Sequence, residues 1–63
     1  MQITRKSNLT GVVRTVDLAV TEAQMLAYAH GALLQEAFAN LTADEREFIK
    51  TGITQEEWDK VFA

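Results

Sequence analysis

The stretch LTADEREFIKTGITQEEWDKVF, Leu41 to Phe62, contains Thr-x-x-Glu twice, at Thr42 to Glu45 and Thr54 to Glu57, on either side of Thr51-Gly52-Ile53. In a capping box the threonine hydroxyl accepts a hydrogen bond from the backbone N–H three residues on, and the glutamate reaches back to the threonine's own N–H. Each pair therefore predicts a helix start. Gly52 stands where a glycine ends a helix in the left-handed conformation. Ile53 and Trp58 hold the staple positions around the second start. The stretch reads as two short helices joined by a glycine turn, with Phe48, Ile49, Trp58, Val61 and Phe62 as its apolar teeth. Glu47 and Lys50, and Glu56 and Lys60, are spaced to pair charges on the outer faces.

Two helices around a glycine turn also describe a helix-turn-helix. A recognition helix, however, offers its first turns to a duplex carrying one negative charge every ~1.7 Å of axis. Here those turns hold Gln55, Glu56, Glu57 and Asp59. The sign of the charge argues against DNA reading by this helix.

Upstream, Thr21-x-x-Gln24 predicts another capped start, with Val20 and Met25 at staple positions. Met25, Leu26, Ala29, Leu33, Leu34, Ala37, Phe38 and Leu41 then recur at helical spacing. His30-Gly31 interrupts the run. Because Gly in a helix interior costs about 1 kcal/mol relative to Ala, two helices broken at Gly31 are favoured over one. Before Thr21, Ile3 to Arg5 and Val12 to Val20 read as strands joined by Ser7-Asn8-Leu9-Thr10-Gly11. Val16, Leu18 and Val20 alternate with Thr15, Asp17 and Ala19, so one face turns inward. A lone hairpin is unstable in water and must be covered by the helices.

The expectation is thus an α+β fold, a small single domain over residues 1–63 with an N-terminal β-hairpin (1–20) packed against three or four short helices (21–63). Val16, Leu18, Leu26, Leu33, Phe38, Phe48, Ile49 and Trp58 are its predicted core. A chain of 63 residues buries only about 60% of its unfolded surface. Chains this short lean on disulfides, metals, oligomerisation or very regular packing. With no Cys and with His30 as the only His, the first two are not available from this composition. No apolar run approaches the ~20 residues of a membrane span, and no targeting signal is visible, so a cytoplasmic location is expected.

Charge is unevenly placed. Residues 1–16 carry Arg5, Lys6 and Arg14 without an acid, giving +3, whereas residues 17–63 carry nine acids against Arg46, Lys50 and Lys60, giving −6. Arg5, Lys6 and Arg14 are therefore the candidates for an anion or partner contact. The carboxylates sit mainly in first helical turns, where the helix dipole favours them, and no nucleophile, base or phosphate-cradling loop accompanies His30. No catalytic group, cofactor site or metal site is assigned. One small core also leaves little volume for a pocket of ~300 Å³ or more.

RKSNLTG, VDLAVTEAQ, HGALLQEAFANLT, EREFIKTGIT and EEW, in that order, resemble a family of short proteins of unassigned activity encoded by bacteriophages and found in marine and other environmental sequences. The resemblance runs from Arg5 to Phe62. It rests on an Arg-x-Ser…Thr-Gly start, a Gly-x-Leu-x-Gln-x-Ala-Phe centre and an Arg-Glu-Phe-Ile-x-Thr-Gly run leading to a Trp. Many members carry Pro where this chain has Ala39 and Gln55, positions at helix boundaries where Pro only stiffens the chain. The resemblance implies a phage-related origin and no mechanism.

Two functional readings follow. The first is a non-catalytic protein–protein interaction module, self-associating as a dimer or binding a host or viral protein, with Ala23, Ala27 and Leu34 as the expected interface. The second is a nucleic-acid or anion contact through Arg5, Lys6 and Arg14, which the net charge of −3 disfavours. If the threonines are caps, Thr42→Ala and Thr54→Ala each cost about 0.5–2 kcal/mol, visible as a lowered urea midpoint. Partner binding by the folded variants stays intact.

Overall fold

The computed structural model describes residues 1–62. Strands β1 (Gln2–Lys6) and β2 (Val13–Asp17) form an antiparallel hairpin with Ile3 opposite Val16 and Thr4 opposite Thr15. Helices α1 (Glu22–Ala29), α2 (Leu34–Ala37), α3 (Ala43–Thr51) and α4 (Gln55–Phe62) follow. The expected hairpin is present, and of the three or four helices expected the described residues form four. β2 ends earlier than its alternation suggested: Leu18 N–H still bonds Met1 C=O, but Val20 N–H bonds Leu18 C=O, turning the chain toward Thr21.

The helix starts follow local chemistry. Thr21 and Gln24 form a complete capping box, as do Thr42 and Glu45, with donor–acceptor distances of 2.8–3.2 Å. Between α1 and α2 the chain breaks at Gly31, whose φ of +105° an L-residue rarely adopts. The pairs expected at Glu47–Lys50 and Glu56–Lys60 do not close among the described residues. On α4, Gln55 instead donates to Asp59 at 3.0 Å.

Ile3, Leu18, Val20, Phe38, Leu41, Phe48 and Ile49 form one buried cluster, with Val16, Met25, Tyr28, Leu34 and Ala37 packed against it. Phe38 is wholly buried, and the Tyr28 ring meets it edge-on with centroids 5.5 Å apart. That contact corrects two of the expected core residues. With Met25 and Tyr28 on the inward side of α1, Leu26 is rotated about 100° away from Met25 and is 58% exposed. Leu33 takes the extended N-cap position of α2 and is 65% exposed. Trp58, also expected in the core, is half-buried and lies outside the cluster, against the exposed Phe62.

Backbone contacts hold α3 to the hairpin. Arg5 Nε donates to Ile49 C=O at 3.2 Å, and Asn8 N–H bonds Thr51 C=O at 2.9 Å, so the C-terminal carbonyls of α3 find partners in β1 and its loop. Gly52, at φ +75°, lies directly against β1. A Cβ there would stand 2.5 Å from the Lys6 carbonyl oxygen and 2.9 Å from Ser7 N. Gly31 has open space around it. The left-handed backbone alone makes Ala cost about 1–2 kcal/mol at either glycine. Gly52→Ala must also force β1 away, so its urea midpoint should fall well below that of Gly31→Ala.

The Cα radius of gyration, 11.8 Å, exceeds the ~10.6 Å of a compact chain of this length. The long axis is 34 Å against 19 and 18 Å. An elongated body of this size keeps more of its apolar side chains at the surface, and that surface is where candidate function must be sought.

Candidate functional site

The hairpin loop folds around one hydroxyl. Ser7 Oγ accepts from Leu9 N–H (3.1 Å) and Thr10 N–H (3.3 Å), a side-chain turn that shapes the loop without a second strand residue. The Ser7 hydroxyl in turn donates to Glu57 Oε1. Thr10 Oγ1 donates to Glu57 Oε2 at 2.9 Å, and Arg14 Nη1 lies 2.6 Å from the same oxygen as a close ion pair. Arg14 Nη1 makes no well-aligned hydrogen bond there, so the contact is an ion pair. Glu57 is 4% exposed, and it joins the first turn of α4 to a loop 50 residues earlier in the chain.

This arrangement revises the third capping box. Thr54 Oγ1 does accept from Glu57 N–H at 3.2 Å. The Glu57 carboxylate does not return to the Thr54 backbone, because both its oxygens are held by the hairpin. Thr-x-x-Glu spacing located the helix start correctly but assigned the carboxylate to the wrong partner. The nearest signal in the sequence is Ser7-x-x-Thr10-Gly11, a loop rich in hydroxyls. Nothing local connects it to Glu57.

Chemically, the cluster binds itself. The Ser7 hydroxyl holds the Glu57 carboxyl below the usual carboxylate range; desolvation opposes that, and Arg14 and Thr10 add to the lowering. The Ser7 hydroxyl and the Glu57 carboxylate are each other's partners, with Thr10 and Arg14 at the second carboxylate oxygen, so the four side chains face one another. His30 caps α1 through its backbone and lies exposed at the far turn. Among the described residues no group of three or more His, Cys, Asp or Glu could hold a metal. No helix among them is long and apolar enough to cross a membrane.

The sequence-nominated residues scatter. Arg5 donates to Ile49 C=O and, at 2.9 Å, to Thr4 C=O, and Arg14 faces Glu57. Lys6 is exposed. Of the three, only Lys6 keeps its cationic group clear of an internal partner among the described residues. Ala23 and Ala27 are exposed and lie with Leu26 on the outward stripe of α1, while Leu34 packs against the core. Two open depressions mark the surface. One of about 560 Å³ is lined by Gln55, Trp58, Asp59 and Phe62, whose rings lie 4.7 Å apart for Trp58 and Phe62. The other, about 450 Å³, is lined by Tyr28, Ala32, Leu33, Leu34, Gln35 and Lys50. Volume above ~300 Å³ is therefore available, contrary to the expectation from chain length, but as open surface. The larger depression lies along one face of α4 alone, and the smaller lies where α2 meets α1 and α3.

Compared with protein-family models, with curated proteins and with solved structures, the chain has no match.

Because the folded pKa of Glu57 lies below its ordinary value of 4.5, its contribution to stability is complete above that value. It is lost as pH falls through the folded pKa. Glu57→Gln should thus be less stable than the parent chain by a margin that is widest above about pH 5 and narrows with acidification. Urea unfolding followed by Trp58 fluorescence across that range measures the margin. A constant margin would mean that the charge is irrelevant.

Proposed function

We propose that the chain is a small, non-catalytic protein–protein interaction module that self-associates and works in the cytoplasm. The observation that carries the interaction reading is the outward stripe of α1, and the open edge of the hairpin supports self-association. Ala23, Leu26 and Ala27 lie side by side, exposed, with Leu33 beyond the Gly31 turn. Helical residues three and four apart are neighbours, so these side chains make one apolar strip rather than isolated methyl groups. Apolar strips left open on a small domain mark places where another protein surface fits. The resemblance of the chain to short phage-encoded proteins supports a phage-related role, with a host or viral protein as the foreign partner.

The internal commitments of the hydroxyl and carboxylate groups around Glu57 support a non-catalytic reading, since a reactive pair must be free to meet substrate. The same logic weakens the anion reading. Arg5 and Arg14 are both occupied, leaving Lys6 as the cation of the hairpin without an internal partner among the described residues. Phosphate binding depends on several such cations acting together.

Light scattering coupled to gel filtration tests the reading. The expected mass is that of two chains at tens of micromolar concentration, little changed between low and moderate salt because apolar and backbone contacts release no counterions. A mass of one chain throughout would remove self-association from the proposal. Binding to nucleic acid that collapses with salt would favour the hairpin cations instead.

A further inference from the structure

The hairpin has two edges, and they are treated differently. On β1, Thr4 C=O accepts from Arg5 and the Lys6 carbonyl lies under Gly52. β2 has no such cover. Bonded pairs alternate along an antiparallel ladder. Ser7 N–H to Val12 C=O and Leu18 N–H to Met1 C=O fix the alternation at both ends. It follows that Arg14 and Val16 direct their backbone groups toward β1, whereas Val13, Thr15 and Asp17 direct theirs away from it. Among the described residues nothing bonds those outward groups. Strand edges are ordinarily guarded by Lys, by Pro or by a bulge. Val13–Asp17 contains neither Lys nor Pro, its two charges are paired within the chain, Arg14 with Glu57 and Asp17 with the Met1 ammonium group, and its register with β1 is continuous.

We infer that this edge is the contact between two copies of the chain, β2 pairing antiparallel with β2 of the second copy about a two-fold axis through Thr15. The inference rests on the self-association reading and assigns it a surface. The strand is self-complementary about that residue alone. An axis at Thr15 pairs Thr15 with Thr15 and sets Val13 against Asp17 of the other copy, so all the outward groups are used. An axis at Asp17 would oppose two carboxylates, and an axis at Val13 would leave Asp17 unpaired. The Thr15 axis opposes no like charges, which cross-strand pairs require. It also continues a feature of each copy: Thr4 Oγ1 and Thr15 Oγ1 bond at 2.7 Å on the solvent face. Pairing places the hydroxyls of both copies in one row. On the opposite face, a groove of about 150 Å³ lined by Val16, Leu18, Phe48 and the acidic residues Asp44 and Glu45 opens beside the same strand, where inward side chains of an added strand come. The α1 stripe remains free for a foreign partner.

Charge substitutions at Val13, which is 62% exposed, test the register. In the dimer Val13 faces Asp17 of the other copy, whereas within one chain it faces Lys6. Val13→Asp should therefore raise the dimer dissociation constant about tenfold while leaving the fold at least as stable. Val13→Lys should keep or tighten the dimer while slightly destabilising the fold. The opposite signs separate pairing from folding. Thr15→Lys, which opposes two ammonium groups on the axis, should give a single-chain mass, and Leu26→Glu should leave the dimer unchanged. Sedimentation or light scattering reads the masses, and amide exchange reads protection at Val13, Thr15 and Asp17 that appears with the dimer. A two-chain mass indifferent to Val13→Asp and Thr15→Lys would overturn the assignment of this edge and leave self-association standing. A one-chain mass for the parent chain would overturn both.

Discussion

The carboxylate of Glu57 holds the two ends of this protein together. It is the residue through which α4 reaches the hairpin loop, accepting hydrogen bonds from Ser7 and Thr10 and facing Arg14. A buried carboxylate is costly unless it is paired and hydrogen-bonded; here a hydroxyl-rich loop and one guanidinium meet that requirement. The same hydroxyl that anchors the carboxylate also shapes the loop, since Ser7 Oγ accepts two of its backbone N–H groups. Loop conformation and helix attachment are consequently one structural event. The apolar cluster gathers around Phe38, Phe48 and Ile49, on the hairpin face that Val16 shares with Arg14, so the molecule is secured by an apolar centre and a polar clasp.

Gly52 makes the clasp geometrically possible. Its left-handed backbone ends α3 and turns the chain toward Thr54, and its missing side chain lets that turn lie on the Lys6 carbonyl. Any side chain would hold β1 off and carry Ser7 away from Glu57. Arg5 and Arg46 work at neighbouring helix ends, donating to carbonyls that α3 and the Phe38–Leu41 turn would otherwise leave open. Two of the hairpin's cations, Arg5 and Arg14, are drawn into the scaffold. An uneven charge distribution along the chain becomes a set of short internal contacts.

What is left over defines the accessible chemistry. A small elongated body cannot cover every apolar side chain, and Leu26, Leu33 and Phe62 are more exposed than buried. Around Glu57 the polar groups are inward and occupied, while Leu26, Leu33 and the β2 edge face out. The exposed strand edge and helix stripe lie on different elements of the fold.

Three of the four helix starts among the described residues were legible in the sequence because capping is local, whereas α2 begins at Leu33 without a side-chain cap. Thr21, Thr42 and Thr54 each find a donor three residues away, and Gly52 and Gly31 adopt backbone conformations that other residues resist. Strand alternation was legible for the same reason, and it placed Leu18 inside. Tertiary structure alone decided matters of choice between equivalent partners. Tyr28 rather than Leu26 turned inward because its ring meets Phe38, and a helical run of apolar residues broader than one face cannot specify which of them will win that contact. The Glu57 carboxylate could satisfy its own helix start or a distant loop. It took the loop because three partners gathered there, a competition between contacts separated by up to 50 residues that no local spacing encodes.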